Sequence, residues 1–168
     1  MGKLRIAGLV KESIVDGPGI RYVVFTQGCP HHCVGCHNPQ THDFNGGYFV
    51  ETDELYSEIL KDPLLKGITL SGGEPFMQAK ILSEFAKKVK GNNLDVITYT
   101  GFKFEDLLEK ANSDNGFMNL LNTTDILIDG KFELEKKNPL LKFRGSENQR
   151  VISCKDSLKC GKIVTVEF

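Results

Sequence analysis

The chain of 168 residues has no surplus of one charge: 21 Lys and Arg stand against 22 Asp and Glu, a formal net charge of −1. That balance removes the electrostatic case for a nucleic-acid partner or a membrane surface. No apolar run approaches the length that spans a bilayer. The first ten residues are interrupted by Lys3 and Arg5, and Lys11 follows them, which is too short and too charged for a signal peptide. Position 6 is Ile, so Met1-Gly2 does not open a myristoylation signal. Internal repeats, low-complexity tracts and dividing linkers are also missing. One domain over residues 1–168 is expected, large enough for a real core. The expected location is cytoplasmic, where disulfides are rare. The cysteine count of 5 is odd, which argues against a disulfide framework.

Cysteine is concentrated where it does occur. Cys29, Cys33 and Cys36 lie in the segment GCPHHCVGCHNP (residues 28–39) with spacing C-x3-C-x2-C. Thiolates are soft donors that select iron–sulfur clusters, zinc or cuprous copper. A structural zinc site is closed by four protein ligands, and His31, His32 or His37 could supply the fourth. A protein-only iron–sulfur cluster ordinarily has four cysteines, so three leave one iron open for a substrate or cofactor. The loop alone leaves cluster and zinc equally open. His31 and His32 read as exposed non-ligands, and His37 as a residue that lines the site through its backbone. Cys154 and Cys160, spaced C-x5-C, read as free thiols rather than a second metal site.

The hydrophobic pattern alternates between strands and helices. Residues 4–10 predict a first strand, and residues 16–19 (DGPG) a turn. Residues 21–26 (RYVVFT) predict a strand buried on both faces, as in a parallel sheet, which delivers the chain into the cysteine loop. Thr52 reads as the N-cap of a helix carrying Leu55, Ile59 and Leu60 and ended by Pro63. A strand at 67–70 runs into Ser71-Gly72-Gly73-Glu74-Pro75. A helix over 77–90 follows, with Met77 as core filling. Further strands are expected at 94–100, 125–128, 149–153 and 162–168, with helical turns around 104–111 and 117–121. The charged stretch 133–137 reads as solvated surface, and Arg144 and Arg150 as surface charge. This order predicts an α/β fold: a partial (β/α) barrel or an open curved, mostly parallel sheet. A full eight-fold barrel needs about 250 residues. Each motif follows a strand, so all of them should gather at one sheet edge.

Gly72-Gly73 lets a ligand approach the backbone closely, and Glu74 offers a carboxylate to an ammonium group. Taken together, Cys29-x3-Cys33-x2-Cys36 and Gly72-Gly73-Glu74-Pro75 resemble the motifs of the radical S-adenosylmethionine enzymes. The segments DGPGIR (16–21) and CHNP (36–39) are similar to those of the glycyl-radical-enzyme activases. Tyr99-Thr100-Gly101, DGKF (129–132) and FRGSENQR (143–150) resemble the branch that activates anaerobic (class III) ribonucleoside-triphosphate reductase. The fold this implies is an abbreviated radical SAM core.

By that resemblance Cys29, Cys33 and Cys36 hold a [4Fe-4S] cluster whose open iron binds S-adenosylmethionine. Gly72, Gly73 and Glu74 would hold the methionyl ammonium. The peptide run Gly35-Cys36-His37 would contact the adenine, and the region of Asp129 and Lys131 would reach the sugar or methionyl carboxylate. The implied reaction is reductive cleavage of the cofactor, giving a 5′-deoxyadenosyl radical that takes hydrogen from a partner glycine. The implied partners are the reductase and a low-potential one-electron donor such as flavodoxin or ferredoxin. The family often places an aromatic residue just before the third cysteine, where this chain has Gly35. An activase of a pyruvate formate-lyase type enzyme is the alternative within the class, and a non-catalytic zinc-binding module the alternative outside it.

Overall fold

The structure, a computed structural model, describes residues 2–168. Strand β1 (Lys3–Ser13) turns through residues 16–19 into β2 (Arg21–Thr26), which leads to the cysteine loop. Strand β3 (Tyr48–Glu51) and helix α1 (Thr52–Leu60) follow. Next come β4 (Gly67–Gly72), a 3-10 turn over Pro75–Gln78 and α2 (Ala79–Lys90). The chain then forms β5 (Asp95–Tyr99), α3 (Phe104–Lys110), α4 (Phe117–Thr123) and β6 (Ile126–Asp129). It closes with β7 (Arg150–Ser153) and α5 (Cys154–Cys160).

The strands form one seven-stranded sheet in the order β3-β1-β2-β4-β5-β6-β7. Its centre, β2-β4-β5-β6, is parallel, and β1, β3 and β7 are added antiparallel at the margins. β3 and β7 remain as edges, so the sheet is an open α/β half-barrel, as the alternation of elements predicts. The register matters for the site. Thr26 of β2 pairs with Gly72 of β4, so the two carboxyl ends are level and their loops emerge side by side.

Burial follows the two-residue period of a strand. Val96, Leu127 and Ile152 face a core built with the helices, including Leu82, Phe85 and Val89 of α2 and Leu120 of α4. Ile97, Ile128 and Val151 form a smaller cluster on the opposite face, joined by Tyr99 and Phe143. Full burial of each large apolar side chain contributes about 1.5–3 kcal/mol, so the helix-side layer dominates stability. Helix α2 ends in Lys87, Lys88 and Lys90, a charge order that suits the helix dipole.

Three local expectations are corrected and one strand is added. Glu51, not Thr52, caps α1, without a side-chain hydrogen bond; Thr52 is buried, with its hydroxyl 3.4 Å from the Gly2 amide nitrogen. Residues 162–168 form no strand: they make one isolated bridge, Ile152 to Thr165, flanked by hydrogen bonds from the Ser153 amide to the Val164 carbonyl and from the Val166 amide to the Val151 carbonyl. Met77 lies in the 3-10 turn and is 38% exposed, so it is not core filling. Strand β3, unanticipated, is held by backbone pairing to β1 while Tyr48 and Phe49 stay exposed.

Candidate active site

The cysteine loop starts at the end of β2 and folds back on itself. The Gly28 amide donates to the Thr41 carbonyl (2.7 Å), and the Cys29 amide to that of His42 (3.1 Å). The Thr41 hydroxyl donates to the Asn38 carbonyl at 2.6 Å. Cys29 is buried, whereas Cys33 and Cys36 are partly exposed; all three line a cleft of about 400 Å³. The Asn38 amide points at the Cys36 sulfur at 3.5 Å. Burial pushes the Cys29 thiol up; amides of His31 and His32 oppose this and the Glu74 carboxylate reinforces it. Because the ligand is the thiolate, cluster binding there must release a proton.

The Gly72-Gly73 turn is pressed against this loop. A Cβ on Gly72, where φ is +94°, would stand 2.5 Å from the Thr26 amide nitrogen, and one on Gly73 would stand 2.5 Å from the Gly28 carbonyl oxygen. The Gly73 amide donates to Thr26 (2.8 Å) and the Glu74 amide to Gly28 (2.9 Å). These glycines therefore let the ends of β2 and β4 clamp together, and both also line the cleft.

Glu74 is fully buried. One carboxylate oxygen accepts from the Phe76 amide (3.1 Å) and the Thr100 hydroxyl (2.8 Å). The other accepts from the Gly101 amide (2.8 Å) and lies 2.6 Å from the His31 ring. His31 is thus corrected from an exposed residue: its side chain is 6% exposed, on Glu74 and edge-on to Phe102. His32 is exposed and His37 lies against Phe132 with ring centroids 5.2 Å apart.

At the end of β6, Gly130 lines the cleft, whereas neither Asp129 nor Lys131 does. Asp129 is buried, accepts from the Phe104 amide (2.8 Å) and is paired with Arg150, which also holds Glu105. Arg150 is therefore a clamp between β7, β6 and α3 rather than plain surface charge, and its carboxylate partners hold its pKa up. The 143–150 segment is stapled by Gln149. Its side-chain Oε1 accepts from the amides of Gly145 (2.8 Å) and Ser146 (3.1 Å), and its side-chain Nε2 donates to the Gly130 carbonyl (3.0 Å). Arg144 lines the cleft and donates to the Gln149 carbonyl at 2.6 Å. Cys154 lies apart in the helix-side core, its thiol pushed up to about 12 by burial, and Cys160 is exposed.

Sequence reasoning did not find Thr100, Gly101 and His31 as partners of Glu74, nor Phe132 and Gln149 in the cleft wall. The available signal was position: Thr100-Gly101 and residues 130–132 directly follow parallel strands, where α/β sheets carry their sites.

The donor set fits a polynuclear cluster. Cys29, Cys33 and Cys36 are free thiols lining one cleft, and in a four-iron cluster each such thiolate takes its own iron. The cleft volume lies in the range of cofactor sites.

Comparison with known proteins agrees. The family model described as a 4Fe-4S single cluster domain matches residues 15–152. The anaerobic ribonucleoside-triphosphate reductase-activating protein of Haemophilus influenzae is 35% identical over 145 residues, covering 81% of this chain and 89% of that protein. The protein of the same name from Pasteurella multocida is 37% identical over 145 residues, with the same coverage. That of Enterobacteria phage T4 is 34% identical over 151 residues, covering 86% of this chain and 90% of its own. With the three-thiol loop clamped to the glycine turn and sequence similarity running through both, the chain belongs to the family of anaerobic ribonucleoside-triphosphate reductase-activating proteins.

Proposed function

We propose that this chain activates an anaerobic ribonucleoside-triphosphate reductase by generating a glycyl radical on it, as a radical SAM enzyme. The observation that carries this reading is the level pairing of β2 with β4, which sets Cys29, Cys33 and Cys36 beside Gly72 and Gly73 in one cleft. Cys29, Cys33 and Cys36 would hold a [4Fe-4S] cluster, and the same cleft would take S-adenosylmethionine. When bound and reduced, that pair supplies a one-electron cleavage able to take a hydrogen atom from a glycine of the partner.

The chain's residues bind and orient. Gly72 and Gly73, which line the cleft, would receive the methionyl ammonium together with Glu74, whose carboxylate is buried behind that lining and oriented by Thr100, Gly101 and His31. The run Gly35-Cys36-His37 would meet the adenine. Lys131, exposed beside Gly130, would reach the sugar or the methionyl carboxylate, while Asp129, paired with Arg150, fixes that wall. A half-barrel that is not closed into a full ring leaves room for a loop of a large partner. Val15 at the cleft and Leu134 beside Gly35 are 72% and 50% exposed, apolar surface suited to a protein. A low-potential donor such as flavodoxin or ferredoxin would deliver the electron, in the cytoplasm. Among the described residues no helix is long and apolar enough to cross a membrane.

The test mixes reduced, anaerobic, cluster-loaded protein with S-adenosylmethionine and the reductase, and records electron paramagnetic resonance. A glycyl doublet is expected with the reductase and not with a pyruvate formate-lyase type enzyme. A silent spectrum from fully loaded protein would remove the proposal.

A further inference from the structure

The cleft wall contains an aromatic ring that neither apolar cluster uses. Phe132 follows β6, lines the cleft, is partly exposed, and belongs to neither the helix-side core nor the cluster on the opposite face. Its ring is held by glycines from two distant segments. A Cβ on Gly35, in the cysteine loop, would stand 3.4 Å from Phe132 Cε2 and 3.0 Å from Leu134 Cδ1. A Cβ on Gly145, in the Gln149-stapled turn, would stand 3.2 Å from Phe132 Cδ1 and 3.4 Å from Cε1. The His37 ring leans on it at 46°. Gly35 has φ +75°, so a larger residue there would be strained as well as crowded. The loop between the second and third cysteines therefore carries no aromatic surface, and the space beside it belongs to Phe132.

We infer that Phe132 is the surface on which the adenine of S-adenosylmethionine stacks, taking the place of a side chain at position 35. A purine needs a flat apolar partner, and base–aromatic stacking is insensitive to which base edge is presented. Phe132 is oriented by packing against Gly35, Gly145 and His37 rather than by burial in a core, and it stays partly exposed in the cleft lining, within reach of a ligand there. Phe132 is thus a binding residue for the nucleoside half of the cofactor. This deepens the proposed function and rests on its cofactor.

The test compares full-length, cluster-reconstituted wild type with Phe132→Leu, Phe132→Ala and Phe132→Tyr. Equilibrium dialysis reads S-adenosylmethionine, 5′-deoxyadenosine and methionine, with cluster absorbance as the control. Leu and Ala are expected to weaken S-adenosylmethionine and 5′-deoxyadenosine about tenfold or more, the scale of one stacked base. Tyr should bind like wild type, and methionine should be unchanged throughout. Leu binding as tightly as Phe, equal weakening of methionine, or joint loss of cluster and binding in both Leu and Ala would make Phe132 a packing residue and overturn the inference. Wild type that holds its cluster but binds no S-adenosylmethionine would instead overturn the function on which it rests.

Discussion

Replacing Glu74 with Ala is expected to lower the stability of the cluster-free chain by about 3–5 kcal/mol, since each stranded buried donor costs about 1–3 kcal/mol and entering water recovers part. Glu74 is fully buried, and its carboxylate is the shared acceptor for the Phe76 amide, the Thr100 hydroxyl and the Gly101 amide, with His31 alongside. Glu74→Gln keeps the shape but turns one oxygen into a donor. Whichever way the amide is placed, either the Phe76 or the Gly101 N–H faces an NH2 group. The expected loss is then smaller, about 1–3 kcal/mol. Denaturant unfolding of the two variants checks this order. Losses below about 0.5 kcal/mol in both, the range of ordinary surface changes, would mean that the network contributes nothing. In cluster-loaded protein both variants should also bind S-adenosylmethionine more weakly.

The second large effect is at Arg21, whose side chain is fully buried beneath the cleft. Its guanidinium donates to the Thr69 hydroxyl (2.8 Å) and to the carbonyls of Pro18 (3.1 Å) and Ile68 (2.7 Å), and it is paired with Asp95. Thr69 in turn donates to the Asp16 carbonyl at 2.8 Å, and Asp16 lines the cleft. A Cβ on Gly17 would stand 2.8 Å from Arg21 Cδ, so the 16–19 turn is packed directly on this arginine. Arg21→Met keeps much of the stem and removes the charge, at an expected cost of about 3–5 kcal/mol, the scale of a broken buried pair. For a chain of this size that corresponds to a fall in Tm of roughly 10 °C. Asp95 is 34% exposed on its side chain and can rehydrate, so adding Asp95→Asn should restore only part of the loss. A single variant within about 0.5 kcal/mol of wild type would show that this network does not hold the turn.

What the sequence revealed follows from how local each signal is. The apolar run 21–26, the cysteine spacing and the strand-to-turn step at Gly72 are local, and they located the α/β sheet and the edge that carries the cleft. Strand β3 depends on backbone pairing with β1, some forty residues away in the chain, and exposes its aromatics, so its pattern reads as loop. Helix α5 left a local signal: Ser153 caps it, its hydroxyl accepting from the Asp156 amide at 3.4 Å and donating to the Asp156 carboxylate at 2.8 Å, and Gly161 ends it in a left-handed conformation. DGPGIR was legible as a turn, but the burial of Arg21 under it was not, because Thr69 and Asp95 come from other strands. At Glu74 the motif marked the residue, while its partners at positions 31, 100 and 101 converge only when β2, β4 and β5 lie side by side.

Everything proposed for the cleft depends on three thiolates holding iron rather than a closed zinc site. Iron, acid-labile sulfide and zinc content per chain after anaerobic purification test that most directly. The expected result is a brown protein with about four iron and four sulfide per chain, whose absorbance bleaches on reduction and which loses its iron in Cys29→Ala. A colourless protein with one zinc per chain and no sulfide would contradict it.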